Sequence, residues 1–336
     1  MNIDVVDEWF CMGEIGIVGG SGFVGSALAR RLSKSFKVKV LDRKPIPKPK
    51  EELEFQRCDI RKYGDVERGL RDVEVVVHAA IVQIPLINEE KRLGYEVNVL
   101  GTQNVCEVVD RNPLIKGMIL TGSWHVIGER ELRGVIDEEF GFRPDKVEDR
   151  ARLYALCKIA QESIVRVFDE VSEKVYGVIR IGTALGSEMP EKTAASIFIS
   201  NGLEGKPLTP FRHSMYRPML YVDVGDVCKA FEVYVRKILN GEINNDGLSN
   251  VVNLYWPKPI TILELAGMVR DSVTKYSEGR IKPEVEVVDR GKPILFTPKD
   301  KNLIKVDISR VKTFLGLEGL TNPRETVKKL VSERLR

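Results

Sequence analysis

Two combinations of residue type and spacing in this chain could do chemistry. Tyr154 and Lys158 are four positions apart, so on a helix they share one face. An ammonium beside a phenol favours the phenolate, whose ordinary pKa is about 10. A tyrosine tuned in this way serves as a general base near neutral pH. The second combination is Gly19-Gly20-Ser21-Gly22-Phe23-Val24-Gly25, a glycine triplet joining an apolar run to a helical one. Glycines there allow a tight turn and let backbone N–H groups approach a pyrophosphate at a helix N-terminus. Each pattern alone is common. Together they point to hydride transfer on a bound dinucleotide, with a tyrosine handling the proton.

Asp42 ends the next apolar run. An acidic residue there accepts hydrogen bonds from a ribose 2′-hydroxyl and repels a 2′-phosphate, which favours NAD; Arg43 and Lys44 directly after it would suit NADP instead.

These residues need a scaffold, and the hydrophobic pattern supplies one. Short apolar runs at Glu14–Val18, Lys37–Leu41, Leu53–Arg57, Glu74–Val77, Gly117–Thr121 and Lys174–Ile179 read as strands, with Asn250–Leu254 as a seventh. Helical patterns over Gly22–Leu32, Glu90–Asp110 and Arg152–Glu170 fall between them. Alternation of this kind predicts an α/β fold with a doubly wound parallel sheet. After residue 182 the rhythm breaks. Helices are expected at Ala194–Leu203, Asp226–Leu239, Thr261–Tyr276, Asp307–Leu315 and Asn322–Leu335, with a capping box at Thr261 and Glu264. Pro45–Lys50 and Lys292–Lys301 read as loops. The organisation expected is a dinucleotide-binding core over 12–182, joined by the strand near 250–254, and a smaller, mostly helical substrate lobe over 183–336. Residues 1–11 form an N-terminal extension, with Met12 as a second candidate start.

Composition narrows the class. The chain has 336 residues, 43% hydrophobic and 30% charged, which suits a soluble globular protein. The net charge of +3, with basic residues interleaved among acidic ones, argues against a nucleic-acid surface. No apolar run reaches the roughly 18 residues a membrane span needs, and the N-terminus has no signal-peptide pattern. Cys11, Cys58, Cys106, Cys157 and Cys228 are odd in number and widely spaced, as in a reduced, cytoplasmic chain. His78, His125 and His213 lack metal-ligand spacing, so no metal is expected.

The ordered motifs resemble the extended short-chain dehydrogenase/reductase family, in particular its NAD-dependent sugar epimerases and dehydratases. The glycine triplet has that family's spacing. Cys58-Asp59-Ile60, Val77-His78-Ala79-Ala80, Asn98-Val99-Leu100-Gly101-Thr102, Ser123 to Gly128, Arg180 to Thr183, Arg217 to Asp226 and Val306-Asp307-Ile308-Ser309 follow at family-like intervals. The resemblance implies Ser123, Tyr154 and Lys158 as catalytic residues. It implies a cofactor site of Gly19, Ser21, Gly22, Phe23, Val24, Gly25, Asp42, Arg43, Asp59, Ile60, His78, Ala79, Ala80, Ile81, Asn98 and Ile181, with Tyr154 and Lys158. Asp59 would reach the adenine, and Lys158 the nicotinamide ribose. Thr183 and Arg217 would face the substrate, Arg217 neutralising a diphosphate or a uronate carboxylate. The family often dimerises through two long helices, which implies a homodimer through Glu90–Asp110 and Arg152–Glu170.

Departures from the family pattern matter too. Thr183 replaces an Asn, and Ile127 a Tyr. Trp124 and His125 stand where the 4,6-dehydratases carry an Asp-Glu pair and where sugar-nucleotide decarboxylases also place a Glu, which disfavours both reactions. His125 is left with two roles, an acid/base group or a neutral substrate contact. Ser123-Trp124-His125-Val126-Ile127-Gly128 with Ile179-Arg180-Ile181-Gly182-Thr183 also resembles uronate dehydrogenases, while Phe198–Leu208 and the long C-terminal lobe resemble nucleotide-sugar epimerases. Three functions therefore stand: a nucleotide-sugar 4-epimerase, a net dehydrogenase of a sugar or uronate, and a non-catalytic dinucleotide sensor.

Overall fold

The computed structural model describes residues 13–46, 53–244 and 247–335. The expected extension over residues 1–11 and part of the Pro45–Lys50 loop lie outside them.

Seven strands form one parallel sheet: β1 Glu14–Val18, β2 Lys37–Asp42, β3 Glu54–Arg57, β4 Val75–His78, β5 Gly117–Ser123, β6 Val175–Ile181 and β7 Val251–Leu254. Their spatial order is β7-β6-β5-β4-β1-β2-β3. Every residue of β4 and β5 is buried, as a sheet covered on both faces requires. One face is covered by α1 Phe23–Leu32 and a later helix, Val224–Leu239. The other carries α2 Tyr63–Gly69, α3 Gly101–Arg111 and α4 Asp149–Val171. The chain runs outward from β1 to β3, then crosses back to β4. This reversal opens a crevice at the carboxyl ends of β1 and β4, the place where doubly wound sheets bind ligands.

The lobe packs three helices, α5 Ala194–Leu203, α7 Ile262–Tyr276 and α8 Pro323–Leu335, around its own apolar core. Val224–Leu239, α6 in this numbering, belongs to the sheet. The N-terminus of α7 carries the expected capping box, Thr261 with Glu264. One short strand pair joins the first half of the chain to the last, Gly134–Ile136 with Ile304–Val306, and two more, Thr183–Leu185 with Tyr221–Asp223 and Pro218–Met219 with Ile260–Thr261, lie within the second half.

Two expected helices are corrected. The pattern over Glu90–Asp110 is not one α-helix: Lys91–Tyr95 leads into a π-turn at Glu96–Leu100 before α3 begins. Such bulges collect at functional sites. Here the bulge carries buried Asn98, whose amide accepts the Val82 N–H at 2.7 Å and donates to the Val82 carbonyl at 3.2 Å, pinning the loop after β4. The helix expected over Asp307–Leu315 shrinks to Ser309–Thr313, because the Asp307 carboxylate takes the Ser309 N–H at 2.7 Å in a local turn.

Candidate active site

The glycine turn is defined by what it excludes. Gly19 has φ +78°, and a Cβ on it would lie 2.4 Å from the Ala80 backbone. A Cβ on Gly25 would come within 2.3 Å of the Gly19 carbonyl. The loop after β4 is thus pressed against the turn, and α1 against the end of β1. Gly22 caps α1 without a side-chain cap. Asp42 closes the cradle, its carboxylate accepting the N–H groups of Ser21 at 3.1 Å and Arg43 at 2.7 Å while staying partly exposed. A wall made of backbone, with an acceptor at its rim, fits a dinucleotide. Arg43 and Lys44 project to solvent.

The other expected cofactor residues differ in how they stand. Phe23 and Val24 are half-buried on the first turn of α1. Ala79, Ala80 and Ile81 line the crevice, partly exposed, and Ile181 ends β6 beside Ser123. Asp59 is clasped by Arg61 at 2.6 Å, and that hydrogen bond holds its carboxyl below the usual range. Ile60 is buried and would touch any Cβ on Gly101, so it packs α3. His78 is wholly buried, with Nε2 2.9 Å from Thr102 Oγ1, and burial pushes it down to about 3. Only its main chain could face a cofactor.

Ser123, Tyr154 and Lys158 meet at the carboxyl end of β5. Helix α4 is locked to the sheet along one face. Lys158 Nζ donates to the Thr121 carbonyl at 2.7 Å, Gln161 to Thr102 Oγ1 at 2.9 Å, and Glu162 takes Arg180 in a buried bidentate pair. One turn before Lys158, that face carries Tyr154 towards Ser123, whose hydroxyl eases the phenol's ionisation. One expectation is overturned here. The Tyr154 phenol is raised above its ordinary pKa, because burial outweighs the help from Ser123. Lys158 gives its hydrogen bond to Thr121 rather than to the phenol, and burial lowers it to about 7.

The substrate side is charged, and the sequence did not disclose how. Ser123 caps a short 3-10 turn, Trp124–Ile127, which turns His125 back over it. Ser123 Oγ lies 3.2 Å from His125 Nδ1, and the imidazole meets the Tyr154 ring edge-on at 5.5 Å. On its far side, His125 Nε2 is 3.5 Å from Glu129, a carboxylate with no exposed surface. Glu129 also accepts the Glu148 N–H at 2.9 Å and faces Arg150 at 3.3 Å and Arg217 at 3.9 Å. Burial alone would raise its pKa. The His125 hydrogen bond and the Arg217 and Arg150 charges overcome that and hold it well below the carboxylate range. Arg217, expected to await an anion, is buried against Glu148 and stacked over Phe296, with its Nε left unpartnered. The Thr183 hydroxyl is likewise taken, accepting from Trp124 Nε1 at 3.1 Å. Glu129, four positions after His125, carried a faint sequence signal. Glu148 carried none, since its role exists only once α4 docks.

Comparison with known proteins agrees with this geometry. The profile of the NAD dependent epimerase/dehydratase family matches residues 15–247. A Methanocaldococcus jannaschii protein provisionally named UDP-glucose 4-epimerase is 27% identical over 94% of this chain and 96% of its own. The UDP-glucuronic acid decarboxylase 1 of Danio rerio is 25% identical over 94% of this chain and 71% of its own. Among solved structures, MoeE5 with UDP-glucuronic acid and NAD superposes with a TM-score of 0.77 at 21% identity, covering 96% of this chain and 99% of that one. The Thermus thermophilus UDP-glucose 4-epimerase with NAD gives a TM-score of 0.75 at 21% identity, with the same coverage of 96% and 99%. That profile spans more than half of the chain, and this chain belongs to the NAD-dependent epimerase/dehydratase family of enzymes.

Proposed function

We propose that the chain is an NAD-dependent nucleotide-sugar epimerase of the 4-epimerase kind. The observation that carries this reading is the placing of Ser123 at the end of β5 against the helix α4 that bears Tyr154 and Lys158, with Lys158 held to the Thr121 carbonyl. The UDP-sugar enzymes among its relatives support it. Bound NAD would supply the hydride acceptor and donor.

The N–H groups around Gly22 would hold the pyrophosphate, Asp42 the adenosine ribose, and Lys158 the nicotinamide ribose. Ser123 and Tyr154 would take the proton of the sugar hydroxyl as it is oxidised to a 4-keto sugar, and return it after the sugar has turned over. Thr183 and Arg217 would face the substrate. Leu156, Val167 and Val171 on α4, with Tyr95 and Leu100 before α3, leave apolar surface exposed, which supports a homodimer through these helices. Cytoplasmic residence is part of the reading, supported by four buried, unpaired cysteines among the described residues. No described helix is long and apolar enough to cross a membrane.

A net dehydrogenase of a sugar or uronate is the second reading. It draws on Arg217, whose charge is already met by Glu148 and Glu129; that suits a sugar without a diphosphate, though a uronate carboxylate would find the same guanidinium taken. The test is to incubate the purified protein with UDP-hexoses, GDP-hexoses and free uronates, following absorbance at 340 nm and the sugar products. Epimer formation without net NADH is the expected result. Stoichiometric NADH would overturn the epimerase in favour of the dehydrogenase. Absence of turnover on every sugar would favour a dinucleotide sensor.

A further inference from the structure

We propose that His125, oriented by Glu129, is a second proton acceptor of the site and works through the Ser123 hydroxyl; this deepens the hydride-transfer reading above and rests on it. The case begins with hydrogen-bond roles. Ser123 Oγ accepts the His125 backbone N–H at 3.3 Å, so its own proton is free to point elsewhere. Its neighbour at 3.2 Å is His125 Nδ1. Glu129 faces the opposite nitrogen at 3.5 Å, and as an acceptor-only carboxylate it favours the imidazole proton on Nε2. That leaves Nδ1 bare, facing the serine. A carboxylate fixing the tautomer of a histidine that takes a serine proton is a known catalytic arrangement, here with the two ring nitrogens exchanged.

The surroundings favour the same direction of transfer. Glu129 has no exposed surface and stays ionised, held by Arg150 at 3.3 Å and Arg217 at 3.9 Å. A charged imidazolium formed at His125 would therefore meet a fixed anion. The groups facing the imidazole are Trp124 with ring centroids at 4.6 Å, Tyr154 at 5.5 Å, Ser123 and Glu129. The nearest cations, Arg150 and Arg217, approach the same Glu129 oxygen at 3.3 and 3.9 Å, and the carboxylate they share stands nearest the ring. Tyr154, by contrast, has no cation at its hydroxyl, and burial holds its proton on.

The step balances. The sugar O–H bond breaks and its proton goes to Ser123 Oγ, while the Ser123 proton forms an N–H bond at His125 Nδ1. Bound NAD would accept the hydride from the C–H bond as the carbonyl forms. Reduction reverses each transfer. Glu129 takes no proton; it is a positioning residue.

The test uses the full chain with NAD and UDP-glucose, UDP-glucuronate and free glucuronate as probes. His125→Asn keeps an acceptor near Nδ1 but cannot hold a proton. It should slow single-turnover hydride transfer about 100-fold without weakening NAD binding. Glu129→Gln should slow it about 10-fold, with partial rescue by Glu129→Asp. Imidazole ¹⁵N spectra, assigned by loss of the His125 signal in His125→Asn, should show the Nε2–H tautomer in the wild type and mixed tautomers in Glu129→Gln. Wild-type rates in His125→Asn, or an Nδ1–H tautomer in the wild type, would overturn the proposal. If the wild type turns over none of the probes, the epimerase reading fails, and the tautomer spectra still decide whether Glu129 orients His125: an Nε2–H tautomer lost in Glu129→Gln supports the arrangement, and any other result overturns it.

Discussion

The two walls of the proposed active site are built by opposite means. The cofactor wall is backbone pressed on backbone: Gly19 against Ala80, Gly25 against the Gly19 carbonyl. The substrate wall is side chain against side chain: Glu129 and Glu148 buried with Arg150 and Arg217, and His125 at their edge. At Gly19 and Gly25 the first leaves no space for an added atom. The second holds its charges only as a set, because an ion withdrawn from water is stable only while its partner remains. Substitutions should therefore fail differently on the two sides.

The largest contrast is within the glycine turn. Gly25→Ala puts a methyl 2.3 Å from a carbonyl that cannot yield, whereas at Gly22 the nearest atom to such a methyl is 3.5 Å away. Gly25→Ala is expected to cost about 3 kcal/mol and to abolish NAD retention, with Gly22→Ala much closer to wild type in thermal unfolding. Equal melting temperatures would break the comparison.

On the charged wall, Arg217→Met leaves the buried carboxylates of Glu148 and Glu129 with Arg150 alone between them. A loss of about 3–5 kcal/mol is expected in urea unfolding. Glu148→Gln leaves Arg217 facing Glu129 and should cost less. It should also lower the KM for UDP-sugars if Arg217 is then freed for a diphosphate. A Glu148→Gln protein less stable than Arg217→Met would contradict the set-wise account.

His78 sharpens the comparison through pH. Its folded pKa is about 3 against an ordinary 6.5, because burial disfavours the charged ring. The unfolded chain therefore binds the proton first. Stability contributed by the neutral ring is full above pH 6.5 and is lost as pH falls from 6.5 towards 3. The expected slope is up to about 1.4 kcal/mol per pH unit, removed in His78→Gln. An unchanged slope in the variant would show that the acid loss arises elsewhere.

The smallest effect is expected at Asp42. Asp42→Asn keeps the Ser21 N–H bond but drops the charge, and should shift the NAD to NADP affinity ratio by about 10-fold. No shift would move cofactor choice to Arg43 and Lys44.

This difference between the walls also explains what could be read from the chain. The glycine turn with Asp42, and Tyr154 with Lys158 on one helix, are local patterns, legible from spacing alone. The alternation of strands and helices likewise predicts the seven-stranded sheet in its parallel form. The π-turn at Glu96–Leu100 has no such pattern, since its helical periodicity differs from an α-helix by a single residue. Helix α2 and the short tie strands are too brief to show a period. The charged wall joins Glu129 to Glu148 across 19 positions of chain and Glu148 to Arg217 across 69, separations at which residue type says nothing of contact. The Tyr154 expectation failed for the same reason: spacing gives a shared helix face, but only packing shows that Lys158 turns to Thr121.

The central claim, hydride exchange at a sugar carbon with Tyr154 and Ser123 handling the proton, is tested most directly by Tyr154→Phe. With NAD bound and UDP-glucose supplied, the variant should bind both as the wild type does and form epimer about 1,000-fold more slowly. Turnover within about twofold of wild type would contradict the account.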